Sequence, residues 1–386
     1  MRADAEYCRE TLAGLVRINS INPAFTGGAT DERDVASFVS ARLDALGATI
    51  TRHEPAPGRA SVTGRFAGAG GGRSLLLYGH YDTVGVEGME NPFGAEVRDG
   101  RLYGRGSYDM KGGVTACLAA VKLLRDAGIR LRGDIVICGV ADEETESLGM
   151  RDVLARVRTD GAVVTEPTEL DICVAHKGFC WIAVETEGRA AHGSRFDQGI
   201  DANLRMGRFL AALEPLEAEL RARPPHPLLG PPSLHVGTLR GGTAPSVYAA
   251  HARAEIERRM LPGETEAGVT AEVRAIAGRL ARDDPGMRVS VEPYLTRPAF
   301  EVPADAPIVQ AILGASRGVL GAEPRVVGQS PWMDASLLAE AGIETVVLGP
   351  AGAGAHADAE WVDLASVERA AEILARTAMS YCDTVR

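Results

Sequence analysis

The stretch GDIVICGVADEETESLG, residues 133–149, joins a short apolar run to a knot of acids. Residues 133–140 read as a buried strand, short, β-branched and opened by glycine. Asp142, Glu143 and Glu144 follow side by side, with Glu146 just behind. Like charges gathered at the end of a buried strand repel one another and call for compensation. On a regular strand Glu143 and Glu144 would face opposite ways. In a loop just past the strand both can turn into one site; a solvated turn is the plainer alternative.

The flanking sequence has the same rhythm. Residues 5–18 and 31–47 have helical spacing, the second with Thr30 as a candidate N-cap and Gly47 as a stop. Residues 48–54 alternate like a strand. Residues 60–66, a Gly-rich turn and 73–84 read as a hairpin. A helix over 111–128, the strand 133–140, a short helix over 149–157 and a strand over 161–167 follow. Helices alternating with short apolar strands indicate an α/β fold with a mostly parallel central sheet.

The pattern changes near Lys177. A long alternating strand (179–188), a helix (201–220) and a Pro-rich break (223–233) precede two antiparallel strands, a helix and a last strand ending near 295. The order β-α-β-β-α-β is that of a ferredoxin-like α+β unit. This places an inserted domain at 178–294 within a catalytic domain made of 1–177 and 295–386. The tail resumes α/β, with helices over 306–320, 333–342 and 364–382 and a strand at 345–349.

A chain of 386 residues is long for one core, consistent with this division. The net charge of -11 argues against nucleic acid as a partner, since phosphate binding needs a basic face. No apolar run is long enough to span a bilayer, and MRADAEYCRE lacks the apolar core of a signal peptide, so a cytoplasmic protein is expected. The six cysteines are scattered, with no C-x-x-C pair, and read as reduced packing residues.

Chemically capable residues sit at strand ends, where open α/β sheets bind ligands. In YGHYDTV, His80 and Asp82 lie two apart and share a face; a carboxylate there can accept the second ring proton of a metal-binding histidine. Asp109 in GRGSYDMKGG precedes a helix and, taken alone, reads as an N-cap. Glu166 ends an apolar strand in VVTEPT, and His356 lies in a glycine loop after TVVLG. Together with Glu143 and Glu144 these make a mixed imidazole and carboxylate set without thiolate, which suits zinc, cobalt or manganese. A bridging carboxylate can hold two ions about 3.5–4 Å apart. Two divalent ions set against three carboxylates and a hydroxide leave a near-neutral cluster.

These motifs, with HKG (176–178), AAHGS (190–194) and ERRMLPGE (257–264), resemble the co-catalytic zinc aminoacylase and carboxypeptidase family. That family includes acetylornithine deacetylase, succinyl-diaminopimelate desuccinylase and carboxypeptidase G. The resemblance spans nearly the whole chain. It implies a zinc-peptidase-like domain with an inserted lid that also forms a homodimer. It implies two metal ions, most simply zinc, with cobalt or manganese as alternatives: His80 and Glu166 on one, Glu144 and His356 on the other, Asp109 bridging and followed by a cis peptide. Asp82 would orient His80, and Glu143 would act as general base toward a metal-activated water. His192 would stabilise the oxyanion in the partner's site, and Arg259 would bind a substrate carboxylate, with Arg258 a bystander. The implied reaction is hydrolysis of an N-acylated amino acid or similar small substrate; a carboxypeptidase or dipeptidase is the alternative, and a non-catalytic binding protein a third. Two departures stand out. The lid turn reads GGTAPSVY, with Pro245 and Ser246 where relatives often carry asparagine, and Ala359 stands where many carry Asn or Asp, although Glu360 is kept.

Overall fold

A computed structural model of the chain describes residues 1–385. It comprises two compact units: Met1–Val174 with Val302–Val327 and the chain from Met333 onward, and Ala175–Glu301 with Gly328–Trp332. In chain order the principal strands are β1 (Thr49–His53), β2 (Ser61–Phe66), β3 (Leu75–His80), β4 (Ile135–Val140), β5 (Gly161–Val164), β6 (Ile172–His176), β7 (Gly178–Glu187), β8 (Ser233–Gly241), β9 (His251–Met260), β10 (Val289–Arg297) and β11 (Glu344–Val347). The helices are α1 (Ala5–Arg17), α2 (Arg33–Ala45), α3 (Gly112–Asp126), α4 (Leu148–Leu154), α5 (Ala202–Ala222), α6 (Glu266–Asp283), α7 (Pro307–Leu320), α8 (Ala335–Glu340) and α9 (Leu364–Tyr381).

In the first unit the sheet order is β1-β2-β4-β3-β5-β11-β6. The centre, β4-β3-β5-β11, is parallel, and the flanks are antiparallel, so the sheet is mixed. The parallel strands are buried along their whole length apart from Glu344, the first residue of β11, as strands covered on both faces must be. α1, α3, α7 and α9 pack together over one face; α2, α4 and α8 cover the other. All six cysteines are buried. Among the described residues no helix is long and apolar enough to cross a membrane.

The expected hairpin of residues 60–84 does not form. β4 lies between β2 and β3, pairing antiparallel with one and parallel with the other. The glycine loop that follows β2 is a close-packed crossing, not a turn. Ala69 and Gly70 donate N–H bonds to Leu131 O (2.9 Å) and Arg132 O (2.8 Å), so the loop docks on the lead-in to β4. A side chain on Gly133 would place its Cβ 1.7 Å from Arg73 O. Nor is Thr30 an N-cap. α2 begins three residues later, and Thr30 Oγ1 donates to Ile21 O (2.6 Å), tying the loop before the helix. Gly47 follows the helix end at φ +80°, as its place in the sequence suggests.

The second unit is an antiparallel sheet of order β8-β9-β7-β10 with α5 and α6 on one face. Even-numbered residues of β7 and β9 (Cys180, Ile182, Val184, Ala254, Ile256) meet Phe209, Leu213, Val273 and Ile276 in its core. Arg258 points the same way and is fully buried, held by Glu264 (2.5 Å) and Glu272 (3.4 Å). It is a structural ion-paired residue, in keeping with a bystander's place beside Arg259.

The backbone crossing at Gly133 generates a stability test. Gly133→Ala is expected to cost about 3 kcal/mol, because the new methyl group meets backbone rather than a movable side chain. Urea unfolding of the two proteins reads this as a lowered midpoint at similar slope. An unchanged midpoint would show that the crossing has room to spare.

Candidate metal and catalytic site

Each donor side chain in the first unit is delivered by the carboxyl end of a central strand or by a loop tied to it. His80 is the last residue of β3, and Asp82 lies two residues on. Glu166 follows β5. After β4 the chain turns sharply: Asp142 takes φ 73° and Ser147 φ 57°, which folds 143–146 back over the strand end. Asp109 lies in the kinked segment Ser107–Lys111 that leads into α3, its own backbone non-helical at φ -112° and ψ 93°, and the Asp109–Met110 peptide is cis. His356, itself at φ 60°, sits between two short strands, Gly352–Ala353 and Trp361–Asp363. The second of these pairs with Arg101–Tyr103, just ahead of the Asp109 loop.

The side chains converge into two groups that share Asp109. In one, His80 Nε2 lies 3.3 Å from Asp109 Oδ1 and 3.5 Å from Glu166 Oε1. In the other, His356 Nε2 lies 3.3 Å from Asp109 Oδ2 and 3.1 Å from Glu144 Oε2. Each oxygen of Asp109 thus serves one group. The plainer readings fail here: Asp109 makes no helix cap, and Glu144 is turned inward with its backbone N–H bonded. Glu143 belongs to neither group, yet the charges of His80, Glu166 and Glu144 act on its carboxyl.

The electrostatics are those of a site rich in anions. Burial pushes Glu143 and Glu166 well above the ordinary carboxylate range, and the neighbouring carboxylates add to the shift. Glu144 is raised by burial too, although His356 opposes the shift. Burial also works against ionised Asp109, but hydrogen bonds from His356 and His80 more than offset it and hold this carboxyl below its usual range. Hydrogen bonds to Asp109 and Glu144 lift His356 to about 10. Three carboxylates and two imidazoles, with no thiolate among them, fit two hard or borderline divalent cations.

Asp82 is completely buried and has several tasks. His80 Nδ1 lies 3.1 Å from its backbone carbonyl and 3.5 Å from its Oδ1. The carboxylate also accepts the N–H groups of Glu143 (3.1 Å) and Glu144 (3.2 Å) and the amide of Asn22 (2.9 Å). Burial raises its pKa, and these bonds, that from His80 foremost, bring it below the ordinary value. Glu360 plays a similar part for the Asp109 loop. It accepts from the N–H groups of Gly106 (2.9 Å), Tyr108 (2.9 Å) and Asp109 (3.0 Å) and pairs with Arg105 (2.7 Å). Arg105 in turn bonds Ala357 O (3.0 Å), beside His356. Beneath the site, Tyr78 donates to Asp334 (2.7 Å), whose carboxyl burial raises to about 6. Sequence reading noted Glu360 without giving it work, and passed over Asn22, Arg105, Tyr78 and Asp334. Only Glu360 carried a signal, its fixed distance from His356.

His192 and Arg259 belong to the second unit. His192 is exposed, with Nδ1 2.8 Å from Ser194 Oγ, and its loop pairs with the GGTAPSVY turn through Gly193 N to Ser246 O (2.7 Å). The departures at Pro245 and Ser246 therefore lie against the histidine loop. Arg259 points away from Arg258. It donates to Ser330 O, lies 3.6 Å from Glu257 and stacks over Phe179 at 5.6 Å.

The chain is similar to several known proteins. The chain is 30% identical over 358 residues to acetylornithine deacetylase of Myxococcus xanthus, covering 89% of this chain and 91% of that one. Its fold matches aminopeptidase PepT from Bacillus cereus (TM-score 0.81, 19% identity, 98% and 99% of the two chains). It also matches the YxeP protein of Bacillus subtilis, described as a dinuclear metal-binding peptidase (TM-score 0.74, 16% identity, 98% and 100%). The sequence pattern of peptidase family M20/M25/M40 spans residues 76–380, and with it every ligand candidate from His80 to His356, so the chain belongs to that family of metallohydrolases.

Proposed function

We propose that this protein hydrolyses the amide bond of a small N-acylated amino acid, as a deacylase of the acetylornithine deacetylase kind. The observation that carries this reading is one carboxyl, Glu143, standing outside two donor groups that share Asp109. His80, Asp109 and Glu166 would hold one divalent ion and Asp109, Glu144 and His356 the other; zinc suits the donors best, with cobalt or manganese possible. Such ions, when bound, acidify water and polarise an amide carbonyl. The rest is done by the protein. Glu143 takes a proton from the attacking water onto its carboxylate and later delivers it to the leaving nitrogen, giving a free acid and an amine. Burial and the neighbouring carboxylates raise its proton affinity, the direction a carboxyl that accepts and returns a proton requires. Asp82 keeps His80 turned with Nε2 toward Asp109.

The second unit is proposed as lid and dimerisation domain, spanning about 178–294. In it Arg259 binds the substrate carboxylate through its planar fork. His192 would stabilise the oxyanion in the partner subunit's site of a cytoplasmic homodimer. The relatives' name favours a deacylase over a dipeptidase or carboxypeptidase. Rates on matched N-acetyl amino acids and dipeptides decide the matter: faster dipeptide cleavage would overturn the deacylase reading.

Glu143→Gln should lower kcat by about 10²–10⁴-fold while metal content is unchanged, because the amide keeps shape but accepts no proton. Full activity in that variant would remove Glu143 from the mechanism. Chelation should abolish activity and lower the melting temperature, and zinc or cobalt should restore both, since a ligand bound only by the native state stabilises it. Elemental analysis of the reloaded protein is expected to find two ions per chain; one or none would contradict the shared-Asp109 arrangement.

A further inference from the structure

Asp142, the first acid of the ADEETES knot, belongs to neither donor group, and neither does Asn22, yet both are completely buried. The Asn22 amide is fully used. Its Nδ2 donates to Asp82 Oδ2 (2.9 Å) and Asp142 Oδ1 (3.0 Å), with Thr145 Oγ1 at 3.2 Å. Its Oδ1 accepts from Arg59 Nη2 (2.9 Å) and from Ala24 N (3.1 Å). The partners fix the amide's orientation, because the flipped form would set its oxygen against two carboxylates and its NH₂ against a guanidinium.

Asp142 is anchored from the other side. Arg59 Nη2 pairs with its Oδ1 (2.6 Å), and Thr145 Oγ1 (2.5 Å) and Leu148 N (3.1 Å) donate to its carboxylate. Glu32 completes the support by pairing with Arg59 Nη1 (2.5 Å). The carboxylate of Asp142 thus gathers the loop that carries Glu143 and Glu144. The carboxylate of Asp82 lies behind His80 and takes the N–H groups of the same two glutamates. Asn22 donates to both carboxylates at once.

We propose that Asn22 is a positioning residue for the reaction: its amide locks the Glu143–Glu144 loop to the His80–Asp82 strand end and so sets the distance between the base and the donor groups. The inference rests on the metallohydrolase reading but concerns a fully buried residue that bonds no donor atom of the two groups. It differs from general core packing because the bridge is made by donor chemistry rather than by volume. An isosteric replacement with the wrong polarity should therefore do more harm than truncation. Asn22→Asp puts a carboxylate against Asp82 and Asp142, whereas Asn22→Ala leaves a gap.

The test uses the cobalt(II)-loaded 386-residue protein and whichever of the matched N-acetyl amino acids and dipeptides it cleaves faster. Asn22→Ala is expected to lower kcat by about 10–100-fold, the usual effect of disturbing a ligand's hydrogen-bonded partner, here Asp82 behind His80, with KM within about twofold. The visible cobalt spectrum should change in band position or intensity. Asn22→Asp should lose more turnover than Asn22→Ala, with a comparable or larger spectral change. Asp142→Asn, which keeps the volume, should reproduce the loss of kcat and provides the reading if the Asn22 variants do not fold. The proposal is overturned if Asn22→Ala keeps wild-type kcat and cobalt spectrum. It is overturned equally if Asn22→Asp matches or exceeds Asn22→Ala in activity, or if folded Asp142→Asn keeps full turnover. The cobalt spectrum needs no substrate, so a wrong choice of substrate class leaves this outcome readable.

Discussion

The arrangement of this site depends on one buried carboxylate, that of Asp82. A carboxylate without solvent is tolerable only when hydrogen bonds or charges replace the water it has lost. Here the replacements come from separate pieces of chain: the imidazole of His80, the backbone of the 143–144 turn and the amide of Asn22. Because each partner is needed to keep the anion satisfied, each is also held in place by it. The strand end, the acidic turn and the N-terminal segment are therefore fixed relative to one another by a single desolvation requirement.

A second anion, Glu360, applies the same logic on the opposite side. It collects the N–H groups of Gly106, Tyr108 and Asp109 and is paired with Arg105. At the donor groups and at Glu143 beside them, burial raises the carboxyls of Glu143 and Glu166, and neighbouring carboxylates add to the shift. The distinction is between carboxylates supplied with protein donors, which act as scaffold, and carboxylates left short of them, which are available for cations and protons. The acidic knot after β4 contains both kinds: Asp142 is saturated by Arg59, Asn22, Thr145 and Leu148, whereas Glu143 and Glu144 are not.

The sequence made the α/β alternation, the ferredoxin-like strand order and the donors at strand ends legible, because these rest on periodicity and on residue type. His80, Glu143, Glu144, Glu166 and His356 stood out as polar residues at or just past the end of an apolar strand; Asp109 alone read as an N-cap, and the division into ligands and base came from the family resemblance. What stayed hidden were relations between distant segments. Whether β2 and β3 pair directly or admit β4 between them depends on which backbone the glycine loop lies upon, and alternation carries no trace of that. Asn22 followed by proline looks like an ordinary turn residue, and Asp334 like the start of a helix. Their work is defined by neighbours far away in the chain, so local pattern could not single them out. Glu146 still has no chemistry beyond its exposed place in the turn.

The order in which the donors occur along the chain has a consequence for biosynthesis. His80, Asp109 and Glu166, one entire group, are all made in the first half of the protein. His356 and the anion that organises the Asp109 loop arrive near its end, just after β11, which must slot in beside β5. The residues of one donor group are therefore synthesised long before His356 completes the other. Even that first group waits for Glu360 to gather the N–H groups of the Asp109 loop, so both groups take shape only after the segment following β11 has been made.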